Sequence, residues 1–309
     1  MKKEFFFLSA NEKTQIHGIW WIPDGKVRGV VQLVHGMVEH IGRYDEFANF
    51  LNQQGFAVIG HDHLGHGLSV CSEEDYGFFS DKLGQVALLK DIHRVTKKAR
   101  ARYPKVPLFV LGHSMGSFLL RRYLTIYGDE IDGAIVMGTG YEPLLAVRFG
   151  KVLTKILTVL RGGHTRSKLV NGLALGSYVA KFGNRRRPGS WLSKNEENVK
   201  AYKEDPHCHF MFTVSAYHDF FCVLEDLASG KNFDRIPRNL PVFLVSGMDD
   251  ALGGFTKRVL HVYNEYREMG MEDVDVQFYK EGRHEILNEV DRELVYDDIR
   301  AWLERHLER

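Results

Sequence analysis

Val110-Leu111-Gly112-His113-Ser114-Met115-Gly116-Ser117 decides how this chain of 309 residues is read. The apolar run at 107–111 reads as a buried strand, and a helical pattern follows at 117–126. Between them lies Gly-x-Ser-x-Gly. A turn this sharp, from strand straight into helix, lifts a serine hydroxyl clear of the sheet, which is the geometry of a nucleophile elbow. The residues two before and two after the serine meet across the turn and have to be small, hence Gly112 and Gly116. The helix N-terminus beneath the serine adds positive potential where an oxyanion would form. An ordinary glycine-rich loop has the same letters, so the flanking sequence has to choose between the two readings.

Outward from the elbow, strands and helices alternate. Upstream, 5–9 and 15–22 read as an antiparallel hairpin, 28–34 and 56–60 as apolar strands, and 44–53 and 83–103 as helices. Downstream, 133–138 is a strand. The alternation stops at 141–212, which is amphipathic helix and then loop around 183–190. It resumes with helix 214–228, strand 242–246, helix 255–269, strand 274–279 and helix 290–307. Such a rhythm predicts an α/β fold, a mostly parallel eight-stranded sheet with helices on both faces. The chain divides into a core at 1–140, a helical cap inserted at 141–213, and the rest of the core at 214–309. An insertion at the C-terminal edge of such a sheet lies over the ligand crevice.

A serine hydroxyl is a poor nucleophile at neutral pH and needs a base, which in turn needs an orienting acid. In the elbow architecture the partners follow in the order serine, acid, histidine, each after a strand. After the seventh strand the sequence reads Val245-Ser246-Gly247-Met248-Asp249-Asp250, and after the last it reads Tyr279-Lys280-Glu281-Gly282-Arg283-His284-Glu285. Ser114, one of Asp249 and Asp250, and His284 therefore share the C-terminal edge of the sheet. The oxyanion donors fall by position to the backbone N–H groups of Met115, after the nucleophile, and Met37, after the third strand. Plainer roles exist for the partners: either aspartate could cap the helix near residue 255, and His284 could be a turn residue.

A competing constellation is His61-Asp62-His63-Leu64-Gly65-His66, which resembles the zinc-binding run of metallo-β-lactamase-like hydrolases but has Gly65 where that pattern puts its acid. His207-Cys208-His209 is a weaker one. The expectation is an enzyme with no metal and no organic cofactor. Composition bounds the rest: 44% apolar and 26% charged residues support a sizeable core. A net charge of +1 gives no case for a nucleic-acid partner. Cys71, Cys208 and Cys222 have no disulfide-framework spacing, which fits a reducing, cytoplasmic setting. Phe5-Phe6-Phe7-Leu8 is too brief an apolar run for a signal peptide and reads as an edge strand.

Taken together, His35-Gly36-Met37-Val38-Glu39-His40 with Arg43-Tyr44, Asp62-x-x-Gly65-His66-Gly67-x-Ser69, Gly112-His113-Ser114-Met115-Gly116, Gly247-x-x-Asp250 and Gly282-x-His284-Glu285 resemble the α/β-hydrolase superfamily. Within it the resemblance is to the monoacylglycerol lipase and lysophospholipase group, the serine aminopeptidase-like family. It covers about 1–140 and 214–309. The family's pattern puts the triad aspartate third after the glycine, which selects Asp250 over Asp249, and makes Asp62 to Ser69 a structural loop. It implies an ester hydrolase acting on single-chain lipids, a monoacylglycerol or lysophospholipid, through Ser114, His284 and Asp250.

The inserted segment carries its own signal. Between Leu144 and Asn195 there are eleven Lys and Arg and no Asp or Glu. Leu144, Leu145, Val147, Val152, Ile156, Val159 and Leu160 form an apolar face beside Arg148, Lys151 and Lys155, as in a helix that rests on anionic lipid. A cap helix packed on the core with solvated lysines outside fits the same pattern. Tyr141 and Arg185-Arg186-Arg187 are candidate substrate contacts, the arginines for a phosphate. An aminopeptidase of this fold would instead need a carboxylate to hold a free amine, and Glu142, Glu196, Glu197 and Glu204 are the candidates.

Overall fold

The computed structural model describes residues 1–181 and 189–307. Eight strands form one sheet: β1 (Lys2–Leu8), β2 (Gln15–Trp21), β3 (Gly29–Val34), β4 (Phe56–His61), β5 (Leu108–His113), β6 (Gly133–Met137), β7 (Val242–Gly247) and β8 (Val274–Tyr279). Their order is β1-β2-β4-β3-β5-β6-β7-β8, and only β2 runs against its neighbours. Every residue of β3 to β7 is buried. That is why these strands read as unbroken apolar runs: both faces of a parallel sheet are covered. The strand order reverses around β3, so the crevice at the C-terminal ends of β3 and β5 is where such a sheet takes ligands.

One face is covered by α1 (Asp45–Gln53) and α9 (Arg292–Arg305), whose Phe47, Leu51, Ile299 and Trp302 pack on Val31, Phe109 and Phe243. The other carries α2 (Gly84–Arg102), α3 (Met115–Tyr127), α7 (Val214–Ala228) and α8 (Lys257–Glu268), with Ile92, Leu119 and Val262 in the core. Helix α8 starts two residues later than the periodicity predicts. Phe255 and Thr256 both have positive φ, which makes a turn of what reads as a first helical turn. Between β6 and α7 the described residues hold α4 (Leu144–Arg161), α5 (Lys168–Lys181) and α6 (Glu196–Glu204), and no strand. Helix α4 seats Val147, Gly150 and Thr154 toward α7, and a Cβ on Gly150 would overlap the Phe221 ring. Among the described residues no helix is long and apolar enough to cross a membrane.

The His61–His66 run folds into this core, and among the described residues its side chains do not bring three ligand atoms together. Asp62 accepts from the backbone of Ile41 and Leu68 and from His17, so it staples the loop. Neither ring nitrogen of His61 has a partner, and among the described residues only His40, Asp205 and Cys208 bring ligand atoms together. Those three lie at the junction of the core with the segment after α6, where His40 is bonded to Asp205 at 2.7 Å.

Burial holds His61 and His66 at about 4, and burial with the neighbouring histidines holds His35 and His63 well below the ordinary value. In the unfolded chain each takes a proton near 6.5. Their contribution to stability is therefore complete above about pH 6.5 and is lost as the pH falls toward 4, by about 1.4 kcal/mol per histidine per pH unit. Urea denaturation at about pH 7 and pH 5 should give a steep loss, and His61→Leu should make it shallower. Equal stability at the two pH values would contradict this account of the buried histidines.

Candidate active site

The serine sits where the elbow argument puts it. Ser114 follows β5 directly and has φ 53° and ψ −120°, a strained conformation for a residue with a side chain. The turn closes through its own glycines: a Cβ on Gly112 would come within 2.4 Å of the Gly116 carbonyl, and one on Gly116 within 2.0 Å of that of Val34. The backbone N–H of Ser114 donates to the Met137 carbonyl at 3.0 Å, which pins the turn to β6.

The two partners arrive from loops after β7 and β8. His284 Nε2 lies 2.8 Å from Ser114 Oγ, and His284 Nδ1 lies 3.0 Å from Asp250 Oδ2. Asp250 is fully buried. Burial raises its pKa, but His284 and the backbone N–H groups of Leu252 and Gly253 outweigh this and hold the carboxylate below its usual range. The adjacent Asp249 is partly exposed and makes no contact with His284. The side chain of Asp250 therefore serves His284 and its own loop, and does not cap α8, whose N-cap is Thr256.

Met37 and Met115 line the same cavity as Ser114 and His284. A Cβ on Gly36 would stand 3.0 Å from Ser114 Cβ, so the loop after β3 presses against the serine. The Gly36 N–H is committed to Glu39 Oε1 at 2.6 Å. The cavity, of about 280 Å³, runs from these atoms between α3, α4, α5 and α7, and its far wall is Phe118, Val147, Phe149, Phe220, Phe221 and Leu224. Trp191 lies over His284 with ring centroids 5.1 Å apart. Tyr141 is not part of this wall. It packs on His261 of α8 at 4.0 Å, and its neighbour Glu142 lines the cavity, paired with Arg258. Arg185, Arg186 and Arg187 lie outside the described residues.

With this geometry in place, the sequence profile of the family described as "Serine aminopeptidase, S33" matches residues 25–291. The chain belongs to that family of α/β-hydrolases. A monoacylglycerol lipase of Mycolicibacterium smegmatis is 29% identical over 287 residues, covering 93% of this chain and 92% of that protein. The monoglyceride lipase of Mus musculus is 40% identical over 60% of this chain, a stretch that spans 54% of the mouse protein. A thermostable carboxyl esterase from Bacillus coagulans, solved in complex with glycerol, superposes with a TM-score of 0.92 at 26% identity over 99% of both chains. For an α/β-hydrolase of this family, serine, histidine and acid in hydrogen-bonded sequence are the arrangement that can activate a hydroxyl for attack on a carbonyl.

Behind the site lies a group the sequence motifs contain but whose role they do not disclose. Arg43 holds Glu285 in a two-bond grip at 2.8 and 2.7 Å and also reaches Glu39 at 3.1 Å. Glu39 meets the His113 ring at 3.0 Å and accepts from the Tyr44 hydroxyl at 3.0 Å. From α6, Asn198 donates to Glu285 at 2.7 Å, and the Tyr202 ring lies under the Arg43 guanidinium. Both Glu39 and Glu285 are buried. Despite burial, which opposes the charge, the cations beside them hold both carboxylates ionised, with Glu39 well below the usual range.

Proposed function

We propose that this enzyme hydrolyses a carboxylic ester of a single-chain lipid, a monoacylglycerol in the first place, with Ser114 as nucleophile, His284 as base and Asp250 as its orienting acid. The observation that carries the reading is the run Asp250–His284–Ser114 opening onto a deep apolar cavity. Ser114 Oγ attacks the ester carbonyl as its proton passes to His284 Nε2. Asp250 stabilises the imidazolium, and the N–H groups of Met37 and Met115 receive the oxyanion. Collapse of the tetrahedral intermediate breaks the bond to the alcohol, which leaves with the proton from His284. Water, activated by the same histidine, then frees the fatty acid and restores Ser114. The insertion 141–213 acts as a cap whose apolar inner wall receives the acyl chain.

An amine-binding role is disfavoured by the same wall. Its carboxylates are Glu39, Glu142 and Glu285, and Arg43, His113 and Arg258 already neutralise them. Initial rates with a monoacylglycerol, a lysophospholipid, a p-nitrophenyl ester and an aminoacyl anilide test the choice. The monoacylglycerol should exceed the lysophospholipid by about tenfold or more in kcat/KM, because no described side chain in the cavity offers a free cation to a phosphate. Aminoacyl anilide as the best substrate would overturn the ester reading.

We also propose that the cap meets a lipid surface through apolar contact more than through charge. Arg148 and Lys151, two of the three cations expected to face lipid, are both tied to Glu225 of α7, at 2.9 and 2.6 Å. Val147 is buried, which removes it from the outer face. Among the described residues, Leu145, Val152, Ile156, Val159, Leu160 and Leu169 still stand outward on α4 and α5, each half exposed or more. Changing Leu145, Val152 and Leu160 together to Ser should weaken vesicle binding by about 100-fold, at roughly 1 kcal/mol for each partly inserted side chain. Turnover of a short soluble ester should be unchanged. Equal vesicle binding by wild type and variant would refute the surface role.

A further inference from the structure

His113, the residue before the serine, is buried, and among the described residues each of its ring nitrogens meets an oxygen. Its Nδ1 lies 3.0 Å from Glu39 Oε1, and its Nε2 lies 3.2 Å from the backbone carbonyl of His284. A carbonyl oxygen only accepts. Glu39 is surrounded by donors, the Gly36 N–H, the Tyr44 hydroxyl and the Arg43 guanidinium, and so it also accepts from the ring. Two acceptors on the two ring nitrogens require a hydrogen on each. The ring is then an imidazolium, and Arg43, His113, Glu39 and Glu285 make a buried group of two cations and two anions.

We propose that His113 is a positioning residue, charged throughout the working pH range, whose two N–H bonds tie the carbonyl of His284 to Glu39 and whose charge sets the pH below which His284 stops acting as a base. The inference rests on the reading of His284 as that base. The ring centroids of His113 and His284 are 4.9 Å apart, so the charge on one is felt by the other. The titratable and charged groups facing His113 are Glu39, Arg43 and Tyr44 from the loop after β3, and His284 and Glu285 from the loop after β8. The backbone after β6 lies against the ring at Gly138, and Met137 of β6 and Tyr296 of α9 line the small cavity shared by His113 and Glu39. Burial works against the charge on His113, and the hydrogen bond and charge of Glu39 override it. A second consequence follows from the α6 contacts. Asn198 and Tyr202 hold the Arg43–Glu285 pair, so the cap reaches the carbonyl of His284 through Arg43, Glu39 and His113.

Removing the cation while leaving its anionic partner makes protonated His284 easier to form. His113→Gln should move the acid limb of kcat/KM for a short soluble ester to higher pH by about one unit, with KM changed less than about threefold. Glu39→Gln should leave that limb in place or move it lower. A fall in kcat with the acid limb unmoved in His113→Gln would overturn the electrostatic role and leave a packing role only. Nitrogen-15 NMR of histidine-labelled wild-type protein gives a reading independent of catalysis, and of whether His113→Gln folds. One imidazolium with both ring nitrogens protonated should persist well above the pH at which a free histidine loses its charge and should disappear in Glu39→Gln. Absence of any such imidazolium above about pH 8 in wild type would overturn the proposal, even if Ser114 and His284 prove essential. Its presence alongside an active Ser114→Ala variant would leave the His113 charge standing and reject the triad reading.

Discussion

Ser114→Ala is expected to lower ester turnover by about 10⁴-fold or more while leaving the melting temperature within a few degrees of wild type. Among the described residues the hydroxyl is the hydrogen-bond partner of His284 Nε2, at 2.8 Å. Alanine removes it without disturbing the turn, because what holds the turn is backbone: the Ser114 N–H on Met137 and the close passage of Gly112 and Gly116. The residual rate should come from the oxyanion donors and from binding alone. Full activity in the alanine variant would move the nucleophile elsewhere.

The second large effect belongs to Asp250. Asp250→Asn keeps the shape but presents an amide N–H to His284 Nδ1, which favours the tautomer in which Nε2 carries the proton and cannot take one from Ser114. A loss of about 10³- to 10⁴-fold in kcat is expected, with little change in KM. The same change at Asp249 should cost less than about tenfold, because that side chain lies partly exposed outside the His284 contact. Kinetics of the two asparagine variants on one soluble ester decide the matter, and the opposite pattern of losses would reassign the acid.

The sheet and the run from acid to serine were legible in the chain for a physical reason. Strands buried on both faces write themselves as apolar runs, as β5 does before Ser114 and β7 before Asp250, while His284 follows the edge strand β8, which is buried only at its two ends. What could not be read is what the fold brings together from distant turns. Glu39 and Arg43 follow β3, His113 ends β5 and Glu285 follows β8, and nothing in the local pattern of any of them announces a buried charge-balanced group. The segment between β6 and α7 was legible as helix but not in its facing. Arg148 and Lys151 fit a lipid-facing and a solvated reading alike until Glu225, more than seventy residues away, is found between them. Tyr141 is a candidate substrate contact in the sequence, and in the fold its ring packs on His261.

The central claim is that Ser114 carries the acyl group. Brief incubation with a fluorophosphonate probe, followed by protein digestion and mass spectrometry, reads it directly. The account predicts one modified peptide, containing Gly112 to Gly116 with the added mass on Ser114, and no labelling of His284→Ala at the wild-type rate. An unmodified elbow peptide in a fully inhibited enzyme, or the label on another residue, would contradict it.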